Sequence, residues 1–106
     1  MSEKLQKILA DLRNSLTELY GERLERLVLF GSQARGDAES DSDIDVLVVL
    51  RGGVDAGAEI EKSGDIAACL SRDYDTVISL VFVSDRQYAT RKSPLLLNVR
   101  REGIVI

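Results

Sequence analysis

Leu5, Ile8, Leu9, Leu12, Leu16 and Leu19 recur every three or four residues near the start of the chain. That spacing predicts an amphipathic helix over about residues 2–20, with Ser2 placed to cap it and Gly21 to stop it. The pattern then changes. Leu24-Glu25-Arg26-Leu27-Val28-Leu29-Phe30 and Ile44-Asp45-Val46-Leu47-Val48-Val49-Leu50 are apolar runs of strand length. The second is aliphatic at nearly every position, which predicts a central strand covered on both faces. Between the two runs lie a Gly31-Ser32 turn, a short helix through Ser32-Gln33-Ala34-Arg35 and a polar loop from Gly36 to Ser42.

Arg51-Gly52-Gly53 breaks the second strand, and a helix is expected over about residues 55–71, with Ile60, Ala67 and Leu70 inward and Gly64 weakening it. Residues 76–83 read as a third strand. Ser84 with Gln87 three positions on has the spacing of a capping box, so a short helix should start there. Ser93-Pro94 opens a last helix, because proline at the first helical position loses only an N–H that would have no partner. Leu95, Leu96, Leu97 and Val99 fill it and Gly103 ends it. Ile104-Val105-Ile106 then supplies an edge strand or a docking segment. These elements predict an α/β (α+β) fold: a small mixed β-sheet with helices packed against it. At 106 residues the expectation is one domain spanning 1–106, able to bury a core with little to spare.

Composition narrows the chemistry. With 44% hydrophobic and 30% charged residues the chain reads as a soluble globular protein. No apolar run approaches the roughly 20 residues of a membrane span, and Met1-Ser2-Glu3-Lys4 does not open a secretory signal. A cytoplasmic location is expected. The chain has no histidine, which excludes Ser-His-Asp and Cys-His nucleophile systems. Its one cysteine, Cys69, excludes an internal disulfide and a Cys-rich zinc site; it is expected as a small buried residue of a helix. Any metal should therefore be held through oxygen, which favours magnesium, manganese or calcium. A net charge of −4 argues against nucleic acid as a bulk partner. The charge is uneven, however. Asp37, Glu39, Asp41, Asp43 and Asp45 stand without a basic residue among them, whereas the last stretch carries Arg86, Arg91, Lys92, Arg100 and Arg101 against Asp85 and Glu102. This suits a metal at one end and an acidic partner surface at the other, although the basic stretch also reads as a solvated helix face.

The candidate chemistry lies where the turn meets the second strand. Glycine at position 31 would let phosphate oxygens approach the backbone, and Ser32 adds a hydroxyl at a helix start, where free N–H groups favour anions. Gly-Ser alone reads more simply as a turn; its force comes from the acids downstream. Asp43 and Asp45 are two apart on a strand, so their side chains leave the same face, with α-carbons ~6.6 Å apart at roughly 3.3 Å rise per residue. Such a pair can share a divalent ion or bracket two. Amid Ile44, Val46 and Val48, two acids without a cation would be costly. Asp41-Ser42-Asp43-Ile44-Asp45 is not an EF-hand loop, since Val46 stands at the turn glycine and Gly52 at the bidentate glutamate. No Gly-Lys-Ser/Thr stands at P-loop distance from Gly31.

Phe30-Gly31-Ser32-Gln33-Ala34-Arg35-Gly36 followed by Asp41-Ser42-Asp43-Ile44-Asp45-Val46-Leu47-Val48 closely resembles the minimal nucleotidyltransferases of the DNA polymerase beta-like superfamily. The resemblance extends over essentially the whole chain. It implies transfer of a nucleoside monophosphate, AMP from ATP or the equivalent from another NTP, to a hydroxyl, with pyrophosphate leaving. It also implies that Gly31 and Ser32 grip the β- and γ-phosphates, that Asp43 and Asp45 ligate Mg2+ as the catalytic pair, and that Arg35 orients the loop or touches phosphate. Many stand-alone members resemble antitoxins that neutralise a HEPN-domain toxin by binding or adenylylating it. The implied partner is thus a HEPN-type protein, in a homo- or hetero-oligomer, with no membrane. The family's third carboxylate, on a later strand, is replaced here by Ser79, with Asp75 four residues earlier. Serine cannot replace a carboxylate as base or strong magnesium ligand. That departure implies weakened transfer, or a nucleotide-binding module that neutralises its partner by binding alone.

Overall fold

The leucine-rich periodicity of the first twenty residues becomes α1 (Glu3–Tyr20), which buries Leu5, Ile8, Leu9, Leu12, Leu16 and Tyr20 along one stripe. The structure is a computed structural model and describes residues 1–39 and 42–106; Asp41, part of the acidic run of the sequence, lies outside the described residues. The Ser2 hydroxyl accepts from the Leu5 N–H at 3.1 Å, satisfying one donor of the first turn. Gly21 ends the helix at a positive φ of 57°. A single 3-10 turn, Gly21–Arg23, leads into β1 (Leu24–Phe30). Next along the chain come α2 (Ser32–Arg35), β2 (Ile44–Leu50), α3 (Ala56–Asp73), β3 (Ile78–Ser84), α4 (Asp85–Thr90), α5 (Pro94–Glu102) and β4 (Ile104–Val105).

The four strands form one mixed sheet in the order β3-β2-β1-β4. β1 runs antiparallel to both β2 and β4, while β2 and β3 are parallel and joined through α3. Strand β2 is central. All its residues but Asp45 are buried, as expected for a nearly continuous aliphatic run. On one face Leu27, Leu29, Ile44, Val46, Val48, Leu50, Ile78 and Phe82 pack with α1 and with Leu70 of α3. On the other, Val28, Leu47, Val49 and Val83 pack with Leu96 and Val99 of α5. The caps read from the sequence are present. Ser84 and Gln87 form a reciprocal capping box, and Ser93 accepts from the Leu96 N–H with Pro94 at the first position.

Four expectations are corrected. Ile60, expected inward, is 55% exposed, and the buried face of α3 carries Glu59, Ser63 and Leu70 instead. The cause is a polar cluster assembled from distant residues. Glu59 accepts from the Tyr20 hydroxyl and from Arg23 at 3.1 Å each, with Lys62 at 3.6 Å, so a carboxylate can occupy the helix face that local hydrophobicity assigns to Ile60. Cys69, expected to be buried, is exposed, because α3 lies on the surface and Leu70, one position on, takes the inward direction. In α5 only Leu96 and Val99 are buried, whereas Leu95 and Leu97, expected to fill it, project to either side and are 40% and 49% exposed. The third strand also begins two residues later than read, after a turn in which Asp75 takes φ 50°.

Candidate functional site

At the end of β1 the chain must reverse at once into a helix, and Gly31 performs the reversal at φ 76°, ψ −156°, a conformation open to glycine. A second constraint acts on the same atom. A Cβ added to Gly31 would lie 2.6 Å from the Asp45 Oδ2, so any side chain there would displace that carboxylate. The Gly31 carbonyl accepts from the Ala34 and Arg35 N–H groups at 3.1 Å, starting α2 at Ser32. Gly36, left-handed at φ 81°, closes it. The loop after it is tied back to α2: the Gln33 amide donates to the Ser42 carbonyl at 3.2 Å, just before Asp43.

Register brings the acids and the turn together. Asp45 lies opposite Phe30 on β1 and beside Ser79 on β3. Paired residues share a sheet face, and Asp43, one residue before β2, stands close enough for its charge to act on Asp45. That face is the α5 side, at the end of the sheet where β1 finishes and β2 begins. Asp43 is exposed and Asp45 half-buried. The Asp45 carboxyl is held above the usual range, first by burial and then by the charge of Asp43, with the Arg35 guanidinium acting in the opposite direction. An acid pair beside a glycine turn, offering only carboxylate oxygens, is a donor set of the kind hard divalent cations use.

Gly31, Ser32, Asp43 and Asp45 are therefore neighbours, as their spacing implied. Ser79 sits beside Asp45, half-buried. Asp75 is not brought in; it occupies the preceding turn and lines a surface hollow with Lys4, Lys7 and Tyr74 of the α1 side. Among the described residues no cluster of three or more acidic or cysteine side chains is arranged to hold a metal. A cleft of about 370 Å³ adjoins α2, lined by Ser2, Leu5, Gln33, Gly36, Ser42 and Ile44 among others. Ile44 faces α1, so this cleft lies behind the turn and does not contain the aspartate pair.

Arg35 has two carboxylate neighbours: its Nε donates to Asp37 at 3.2 Å, and its guanidinium lies 3.6 Å from Glu102. These interactions, led by the hydrogen bond to Asp37, hold the guanidinium pKa above its ordinary value. Glu102 escaped sequence reasoning. It stands far along the chain in a stretch read as solvated or partner-facing, and only the fold carries it to Arg35.

A family model described as nucleotidyltransferase domain matches residues 9–96. The chain belongs to that family. This nucleotidyltransferase chain is also similar to two proteins of Methanocaldococcus jannaschii named "Putative protein adenylyltransferase". The first is 34% identical over 94% of this chain and 96% of the relative, the second 33% identical over 95% and 96%. Among solved structures, it is similar to a toxin–antitoxin with AMP-PNP at TM-score 0.62 and 25% identity, covering 98% of this chain and 72% of the other. It is likewise similar to a "putative minimal nucleotidyltransferase" at TM-score 0.58 and 28% identity, covering 94% and 93%. No helix among the described residues is long and apolar enough to cross a membrane.

Proposed function

We propose that this nucleotidyltransferase transfers AMP from ATP, with Mg2+, to a hydroxyl of a partner protein, and that the partner is a HEPN-type toxin which it neutralises in the cytoplasm. The observation that carries the reading is the closeness of turn and acid: a Cβ on Gly31 would meet the Asp45 Oδ2 at 2.6 Å. Support for the nucleotide and the partner comes from the relatives, two named as protein adenylyltransferases and one solved within a toxin–antitoxin holding AMP-PNP. The working unit is residues 1–106 acting as one domain, in complex with the partner.

The donor set fits the metal. Asp43 and Asp45 offer only oxygen, and burial beside a like charge disfavours ionised Asp45 in the bare protein, a cost a cation would remove. Bound Mg2+ would neutralise charge on the triphosphate and on the departing pyrophosphate. Gly31 lets the β- and γ-phosphates approach the backbone, and Ser32 donates its hydroxyl and N–H to them. The acceptor hydroxyl oxygen then attacks the α-phosphorus and its proton passes to solvent, while the bond to the oxygen bridging the α- and β-phosphates breaks and pyrophosphate leaves. With Ser79 beside Asp45 instead of a carboxylate, the chain offers no dedicated third acid, so transfer relies on positioning and charge and is slow.

Ser79 also favours a second reading, in which the chain binds Mg-ATP and sequesters its partner without modifying it. Both readings are tested by incubating the protein and Asp43→Asn with labelled ATP, Mg2+ and a HEPN-type protein, and tracking label onto polypeptide by mass. An AMP adduct on the partner, absent with Asp43→Asn, is the expected result. Magnesium-dependent ATP binding without an adduct selects the sequestering module.

A further inference from the structure

The C-terminal segment is built into the phosphate turn through backbone and side chain together. β4 pairs with the end of β1, Ile104 opposite Leu29 and Val105 opposite Val28, and the Ile106 N–H donates to the Leu27 carbonyl at 3.0 Å. Glu102 is the last residue of α5, one position before Gly103 and two before β4. Gly103 fixes the approach: a Cβ there would collide with the Val28 side chain and the Val99 carbonyl, so helix and strand meet at a position only glycine permits. From this anchored point the Glu102 carboxylate reaches two arginines. Its Oε2 lies 3.6 Å from Arg35 and its Oε1 3.4 Å from Arg101. Arg35, at the end of the turn's own helix, is held on its other side by Asp37.

We propose that Glu102 is a positioning residue for the phosphate turn: anchored by the Gly103 packing, it holds the Arg35 guanidinium so that one orientation is presented to the bound triphosphate. An arginine side chain left unrestrained surrenders rotamer freedom on binding, and restraint before binding reduces that loss. The ion pair is partly exposed, the Arg35 and Glu102 side chains being 44% and 30% accessible, so it acts through orientation more than through stability. The inference rests on the proposed binding of Mg-ATP at the turn.

The test is a double-mutant cycle read by calorimetry of ATP binding in Mg2+, using wild type, Glu102→Gln, Arg35→Ala and the two combined. Glu102→Gln keeps the side-chain shape and should raise Kd about three- to fivefold, a size in keeping with weak exposed ion pairs. Its melting temperature should stay within about a degree of wild type, and the affinity loss should vanish in the Arg35→Ala background. An unchanged Kd overturns the proposal. So does an equal loss in both backgrounds, which would mean that Glu102 serves the helix end and not Arg35. If wild type itself fails to bind Mg-ATP, the nucleotide reading falls and takes this proposal with it; wild-type binding without coupling overturns this proposal alone.

Discussion

A buried carboxylate and a half-buried one are treated in opposite ways in this chain. Glu59, 4% exposed, is enclosed by donors: the Tyr20 hydroxyl, the Arg23 guanidinium and the Lys62 ammonium. Burial alone would raise its pKa, but hydrogen bonds from Arg23 and Tyr20, with the charges of Arg23 and Lys62, hold it below the ordinary value. Asp45 has the reverse surroundings, with burial and Asp43 together pushing its pKa up. An acid the fold uses is compensated from within. An acid whose burial and like-charged neighbour outweigh the opposing Arg35 guanidinium fits a cation and an anionic ligand arriving together at the glycine turn, and folding carries the cost until they do.

Breaking the compensated acid should have the largest effect on stability. Glu59→Ala strands the Tyr20 hydroxyl and takes the carboxylate from the Arg23 guanidinium, which keeps the Gly53 carbonyl, at a cost of roughly 1–3 kcal/mol, which for a domain of this size lowers Tm by about 5–15 °C. ATP affinity measured well below Tm should be unchanged. Gly31→Ala comes next. The positive φ costs about 1–2 kcal/mol, and the new methyl meets Asp45 Oδ2 at 2.6 Å, so a lower Tm and at least a ~10-fold weaker ATP affinity are expected together. Unaltered binding would mean that the turn and Asp45 do not serve one ligand.

Much of this was readable from the chain itself. Local signals, such as the leucine spacing of α1, the aliphatic run of β2 and the capping residues Ser2, Ser84 and Ser93, specify local structure, and the elements formed where those signals stood. The pairing of Gly31 with Asp45 was legible because a strand fixes side-chain direction and only a short loop intervenes. What escaped depended on partners remote in sequence. Ile60 reads as the inward residue of α3 because nothing nearby reveals that Tyr20 and Arg23 will satisfy Glu59. Glu102 was invisible as a neighbour of Arg35 until β4 paired with β1.

The aspartate pair sharpens the comparison from the other side. Asp43→Asn combined with Asp45→Asn removes like-charge repulsion, so Tm in metal-free buffer should be unchanged or raised by less than about 1 kcal/mol equivalent. A clear loss of stability would show that the pair is structural after all. Titration separates the two acids by sign. The Glu59 contribution is present above the unfolded value of 4.5 and lost as pH falls through its lowered folded value. For Asp45 the contribution is present below 3.8 and lost as pH rises through its raised folded value. Tyr20, pushed up to about 12 by burial and by Glu59, contributes stability that is intact below pH 10 and lost as pH rises from there toward 12. Tm measured against pH should show that alkaline decline in wild type and not in Tyr20→Phe, and an acid limb flattened by Glu59→Gln.

The most direct measurement is calorimetric titration of ATP into the purified chain, with Mg2+ and with chelator, for wild type and for Asp43→Asn/Asp45→Asn. Saturable binding in wild type that requires Mg2+, and its loss by at least ~100-fold, about 2.7 kcal/mol, in the folded double mutant, is the predicted result. Equal binding by both proteins, or binding indifferent to Mg2+, would contradict the assignment of the aspartate pair and the Gly-Ser turn to one nucleotide site.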